Sequence, residues 1–308
     1  MGAFFKEHVD SLDILFFVGE RFSVDFLGGP GLLLDGVCDS RHGGYRKLAF
    51  STHESFLNGS ALSESLVLID RLPAESGRGS NQFCVVEDPR AVFMDVLEWL
   101  IVTVGVEAHR RGFSREAKVS PSAQVAPGAI IEPHVEIGSG CIIYSGAIIK
   151  SGSRIGKDTI IRENSVVGCD GLTVYRAADG RLMKFPHVGG VCIGSRVEIG
   201  AGSVIAGGIL AATTIGDEVV IGNLCNVGHG VIVEDGVWVS VGSLIGGHTK
   251  LHAGATVAMG VSIRDNLVIG AGASIGMGSV VVSDVGGGYS MFGNPAKRMP
   301  VLTVGPKR

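Results

Sequence analysis

The sequence predicts a mainly β protein: a parallel β-helix of six-residue repeats behind an N-terminal α/β domain. Three observations carry this. First, aliphatic residues recur every six positions, from Val119, Val125 and Ile131 to Ile161 and Val167, then at Ile193, Ile199 and Ile205, then from Ile215 to Val281. A helix repeats at about 3.6 residues and a strand at about 2, so neither generates this period. A coil of short strands does: each hexad supplies one flat side and one corner, and each coil buries its apolar face by stacking on its neighbours. Second, hydrophobic residues make up 45%, aromatics only 6%, and there are 48 glycines. That balance suits a narrow core of Val, Ile and Ala with glycine at corners that need positive φ. Third, the six-residue period is missing from the first hundred or so residues, which show short apolar runs instead.

Residues 1–112 read as the α/β domain. Ile14-Leu15-Phe16-Phe17-Val18, Leu32-Leu33-Leu34, Leu66-Val67-Leu68-Ile69 and Phe83-Cys84-Val85-Val86 have the length of strands. Asp88-Pro89 then supplies a helix cap with proline in the first turn. Phe93, Leu97, Leu100 and Ile101 follow on one helical face. The basic stretch His109-Arg110-Arg111-Gly112 closes that helix and marks a linker. The β-helix spans 113–284, and its 24 hexads make about eight three-sided coils. It is interrupted at 168–192, a stretch rich in Asp, Gly, Arg and Lys read as a loop on one face, and more briefly at 206–214. Residues 285–308 form a turn-rich tail.

The bulk properties narrow the function. The net charge is −4, which leaves no broad basic surface for a phosphate backbone, so no nucleic-acid partner is expected. No apolar run reaches the ~18 residues of a membrane span. The first residues lack the layout of a signal peptide, and the six cysteines are scattered without a CxxC pair. A cytoplasmic, reduced protein is expected.

Four segments resemble the LpxD family, the UDP-3-O-acylglucosamine N-acyltransferases of lipid A biosynthesis. Gly36-Val37-Cys38-Asp39-Ser40, with Leu48-Ala49-Phe50 and Phe56, resembles the uracil-binding region, where two aromatics sandwich the base. Val166-Val167-Gly168-Cys169-Asp170-Gly171, with Lys184-Phe185-Pro186, resembles the family's long loop. Arg196-Val197-Glu198-Ile199-Gly200-Ala201 resembles the coil after it, and Asn223-Leu224-Cys225-Asn226-Val227-Gly228-His229 the segment ending in the catalytic histidine. The resemblance implies a left-handed β-helix and a homotrimer. From His229 to Val281, and in the exit Phe292-Gly293-Asn294-Pro295-Ala296-Lys297, the chain is also similar to nucleotide-sugar N-acetyltransferases. The sequence runs to Arg308 without the C-terminal helices by which lipid A enzymes engage acyl carrier protein, and their second histidine, two coils beyond the first, has no counterpart in this register.

The expected reaction is N-acyl transfer from a thioester to the amine of a nucleotide-linked amino sugar, with no permanently bound cofactor and no metal. The cosubstrate is an acyl-CoA or acyl carrier protein, and the acyl group a 3-hydroxyacyl or a shorter one such as acetyl. An amine must lose a proton to become an amide, and an imidazole with an ordinary pKa near ~6.5 takes it. His229 is the expected base. Gly247, one coil of eighteen residues later, is expected to aim its N–H at the developing oxyanion. His248 and Asn223 are expected to contact substrate, and His252 to be an ordinary corner residue. Phe50, Phe56 and His53 are expected to bind the nucleotide. Two other classes compete: a zinc hydratase, whose triad the spacing of His229, His248 and His252 does not fit, and a non-catalytic solenoid scaffold.

Overall fold

The computed structural model describes residues 3–27, 30–40, 43–53, 56, 61–107 and 116–299. The basic stretch 109–112 and the last residues of the tail lie outside these. The chain forms two compact units, one drawn from 1–113, 170–190 and 208–212, the other from 114–169, 191–207 and 213–308. Both interruptions of the hexad pattern are thus largely built into the N-terminal unit. Among the described residues no helix is long and apolar enough to cross a membrane.

The N-terminal unit is a seven-stranded mixed sheet backed by helices. Its strands are β1 (Ala3–Asp10), β2 (Asp25–Leu27), β3 (Leu33–Val37), β5 (Lys47–Ser51), β7 (Leu66–Ile69), β8 (Gln82–Val85) and β9 (Val106–Glu107), in the order β2-β8-β7-β5-β3-β1-β9. The short pair β4 (Gly44–Tyr45) and β6 (Leu62–Ser63) forms a separate ribbon. The run Ile14 to Val18, expected as a strand, is instead part of helix α1 (Ser11–Gly19). Asp10 caps it by accepting the Leu12 amide, and Ile14, Phe17 and Val18 are buried while Phe16 is 69% exposed. A short apolar run without alternation fits either a strand or a helix, and here the cap decides. Helix α2 (Pro89–Thr103) follows the expected cap: Asp88 Oδ1 accepts the Ala91 amide at 3.0 Å. Phe93, Leu97 and Leu100 are fully buried, and Ile101, expected with them, sits at the exposed margin.

Residues 170–190 form a hairpin, Val174–Arg176 against Leu182–Lys184. Alternation sends Tyr175, Ala177, Met183 and Phe185 into the core of this unit and leaves Val174 and Leu182 outside. Asp88 anchors the hairpin as well as the helix, since Oδ1 also accepts the Tyr175 hydroxyl and Oδ2 the Ala178 amide, each at 3.0 Å.

The second unit is a three-sided parallel β-helix. Its strands, mostly two residues long, stack into three parallel sheets of eight, ten and eight strands, the second extended by Ser290–Phe292 and the antiparallel Lys297–Arg298. Partners lie eighteen residues apart, as in Asn226↔Leu244 and Val227↔Ile245. The pairing survives both interruptions, across which Ser153 pairs with Val191 and Val204 with Asn226. One residue of each strand points into the shaft, and from Ile137 to Val281 these aliphatics are at most 4% exposed. Each such burial contributes roughly 1.5–3 kcal/mol. The outward residues differ between sheets. The first sheet shows Lys118, Glu136, Arg154 and Lys250, whereas the third shows Ile130, Ile148, Val166, Val204 and Leu244.

Candidate active site

His229 stands at the corner between the third-sheet strand Asn226–Val227 and the first-sheet strand Ile232–Val233. It is half-buried, with Nδ1 shielded from solvent. One coil later the same corner carries Gly247 and His248, and the His248 amide donates to the His229 carbonyl at 2.9 Å. The rings of His229 and His248 meet edge to face, with centroids 4.8 Å apart and planes at 77°.

Two glycines make this possible. A Cβ on Gly247 would fall 2.7 Å from both Cε1 and Nε2 of His229, and one on Gly230 would fall 2.5 Å from Nδ1 of His248. Each ring occupies the space the other coil's glycine leaves open, so the two imidazoles interlock across the corner. Gly230 also holds φ +65°, a conformation costly for other residues.

The amide of Gly247 is the second feature. At three other corners the equivalent amide is claimed by a side chain one coil later: Ser195 N–H by Asp217, Ala201 N–H by Asn223, Asp217 N–H by Asp235. For Gly247, no such acceptor is found among the described residues, while the flanking Gly246 and His248 amides donate to Ile263 and His229 carbonyls. A main-chain donor thus lies in the rung beside an imidazole, the pairing that acyl transfer requires.

The structure therefore brings His229, Gly247 and His248 together. Asn223 stands at the preceding corner of the same coil, and its amide oxygen holds the Ala201 N–H at 2.9 Å. His252 lies beyond the strand Lys250–Leu251, with Nδ1 2.9 Å from Glu234 Oε1, and does not join the pair. Glu234 also accepts the Ala253 amide, and together these contacts hold its carboxyl below the usual range.

The two phenylalanines of the N-terminal unit are not brought together. Phe50 packs on the side of α2, its ring 4.8 Å from Phe93 and 6.1 Å from Phe185. Phe56 is buried in a separate cluster with Ala49 and Val67, its ring 5.3 Å from Phe83. Leu48 and Ala49, adjacent on β5, belong to these two different clusters, as the pleat requires. A sandwich of a base between Phe50 and Phe56, the arrangement that the family resemblance implied, is not formed here. His53 is half-buried beside the turn after β7, its amide donating to Asp70 at 2.6 Å and its Nδ1 3.0 Å from the Arg71 carbonyl. Sequence reasoning missed the contribution of Phe185, which covers Phe50 from the hairpin; the only signal was its place in the expected loop.

Residues 134–169 match the family described as bacterial transferase hexapeptide (six repeats). The UDP-3-O-acylglucosamine N-acyltransferase of Shewanella denitrificans is 39% identical over 95 residues, 31% of this chain and 28% of that protein. Its counterpart from Pseudoalteromonas translucida is 38% identical over 92 residues, 30% of this chain and 27% of that protein. The chain thus spans under a third of the length of these curated relatives. Among solved structures, the UDP-N-acetylglucosamine acyltransferase of Bacteroides fragilis is similar over 59% of this chain and 73% of its own, at 19% identity and a TM-score of 0.46. That of Campylobacter jejuni covers 61% and 74%, at 23% identity and 0.39. Residues 134–169 carry the hexapeptide repeat of bacterial transferases, and the resemblance read from the sequence is borne out over the matched part of the chain.

Proposed function

We propose that this hexapeptide-repeat chain, akin over about a third of its length to UDP-3-O-acylglucosamine N-acyltransferases, is itself an N-acyltransferase acting on a nucleotide-linked amino sugar. The observation that carries the reading is the His229 imidazole packed against Gly247, whose amide has no acceptor among the described residues.

In this mechanism the substrate amine attacks the carbonyl carbon of a thioester. His229 takes the proton released as the C–N bond forms. The carbonyl oxygen gains negative charge, which the Gly247 N–H stabilises; one such donor is worth roughly 3–4 kcal/mol of barrier. The C–S bond then breaks, and the thiolate leaves with the proton from the imidazolium. His248, edge-on to the base, and Asn223 are the proposed substrate contacts. Phe50 and His53 are the proposed nucleotide contacts, and Phe56, walled in against Phe83, is left out. The donor is an acyl-CoA or an acyl carrier protein. The apolar outward face of the third sheet supports association of copies of this chain, in keeping with a homotrimer.

The test is mass spectrometry of the products formed when this chain is offered UDP- and dTDP-amino sugars with acyl-CoA or acyl carrier protein thioesters. An amide product whose formation is lost in His229→Ala supports the reading. Absence of product from every pair overturns it in favour of a scaffold, and full turnover by His229→Ala overturns the assignment of His229 as the base.

A further inference from the structure

At most corners of the β-helix the positive-φ residue donates its amide to a carbonyl at the same corner of the coil below, nineteen residues earlier where no interruption intervenes, whereas the Gly140 amide donates to the Ser122 hydroxyl. Gly236 N–H reaches Asp217, Gly242 N–H reaches Asn223, His248 N–H reaches His229 and Asn266 N–H reaches Gly247. These bonds lace the corners into ladders. They matter because a main-chain donor buried without an acceptor costs about 1–3 kcal/mol.

The ladder that carries His229 has a gap beneath it. Both interruptions of the repeat leave the β-helix from this corner, after the third-sheet strands Val166–Cys169 and Val204–Ala206, two coils and one coil before His229 respectively. The residue nineteen before Gly230 is Ala211, which lies in the second interruption and belongs to the other unit. The Gly230 amide donates to a side chain instead, the Thr213 hydroxyl, at 2.9 Å. That hydroxyl in turn donates to the Ala206 carbonyl at 2.7 Å, and Thr213 is fully buried. Elsewhere hydroxyls at the matching inward site donate to a carbonyl in the coil above: Ser203 to Gly222, Ser243 to Ala258, Thr249 to Arg264. Thr213 instead donates backward across the gap and accepts from above.

We infer that Thr213 is a positioning residue for the catalytic corner, its hydroxyl standing in for the carbonyl that the chain excursion removes. This rests on the function proposed above. Gly230 follows His229 directly and lies against the His248 ring, so the Gly230 amide fixes the tip on which both imidazoles are set. Threonine supplies what the gap requires: one donor for Ala206, one acceptor for Gly230, and a methyl for the shaft.

Thr213→Val keeps the shape and removes both hydrogen bonds; Thr213→Ser keeps the hydroxyl. In the full chain, Thr213→Val should lower kcat about 10-fold or more with KM for the nucleotide sugar within about 2-fold, and Thr213→Ser should stay within about 3-fold of wild type. Hydrogen exchange of the peptide containing Gly230, read without substrate, should quicken in Thr213→Val and recover in Thr213→Ser. Unchanged kcat in Thr213→Val, or equal losses in both variants, overturns the inference. If the wild-type chain transfers no acyl group, the proposed function fails separately. The exchange measurement then still decides the hydrogen bond, and an unaltered rate in Thr213→Val sinks it.

Discussion

The imidazole of His229 fills the space that a side chain on Gly247 would need, with ring atoms 2.7 Å from the position of its absent Cβ. The chemistry and the packing of this corner are therefore one constraint. The glycine brings a bare amide close to the His229 ring, the proposed base, and any larger residue pushes that ring away.

Gly247→Ala tests this directly. The added methyl must displace the His229 ring, so turnover should fall at least ~100-fold, comparable to the loss of an oxyanion donor. Circular dichroism should be unchanged, because the corner lies outside the packed shaft. In Gly247→Ala with His229→Ala the losses should not add, since the two groups act as one unit. Additive losses would separate them.

Phe50 and Phe56 should respond differently to truncation. Phe56→Ala opens a hole in a closed cluster with Phe83 and should cost about 3–5 kcal/mol in denaturant unfolding. Phe50→Ala should raise KM for the nucleotide sugar. A KM equal to wild type removes Phe50 from the proposed nucleotide contacts.

Asp88 joins a helix cap to a hairpin. Asp88→Ala should cost about 1–2 kcal/mol through the cap alone. It should also speed hydrogen exchange across 171–186, because the Tyr175 hydroxyl and the Ala178 amide lose their acceptor. Quicker exchange in α2 with none in the hairpin would show that Phe185 and its neighbours hold the hairpin without Asp88.

Burial pushes the His187 imidazole below its ordinary range, against opposing contributions from Asp170 and the Phe185 backbone. A depressed folded value means that the unfolded chain binds the proton more readily. The contribution to stability is then complete above the unfolded value near ~6.5 and is lost as pH falls through the folded one. Exchange in 170–190, corrected for the intrinsic pH effect, should accelerate as pH falls below about 6.5 in wild type. The His187→Gln variant should show no such step, and persistence of the step there would assign it elsewhere.

The β-helix was legible because each hexad repeats one local rule, and inward residues such as Ile143, Val227 and Ile275 keep it without regard to the rest of the chain. The helix after Asp88 was legible from its cap. Ile14 to Val18 was misread because five apolar residues in a row carry no period. The meeting of His229 with Gly247 followed from a spacing of eighteen, which the stack turns into adjacency. Phe50 and Phe56 were paired by the family resemblance alone, and in a mixed α/β unit six residues of separation set no common face. The role of Thr213 was hidden because it depends on an amide seventeen residues later losing its usual acceptor.

The spacing of paired strands across the two interruptions has a further consequence. The chain re-enters in phase after detours of quite different length, with Ser153 facing Val191 and Val204 facing Asn226. Segments inserted at this vertex can be swapped, shortened or extended while the scaffold above keeps its alignment. Changes to the inserted segments are thereby uncoupled from the register of the strands that follow.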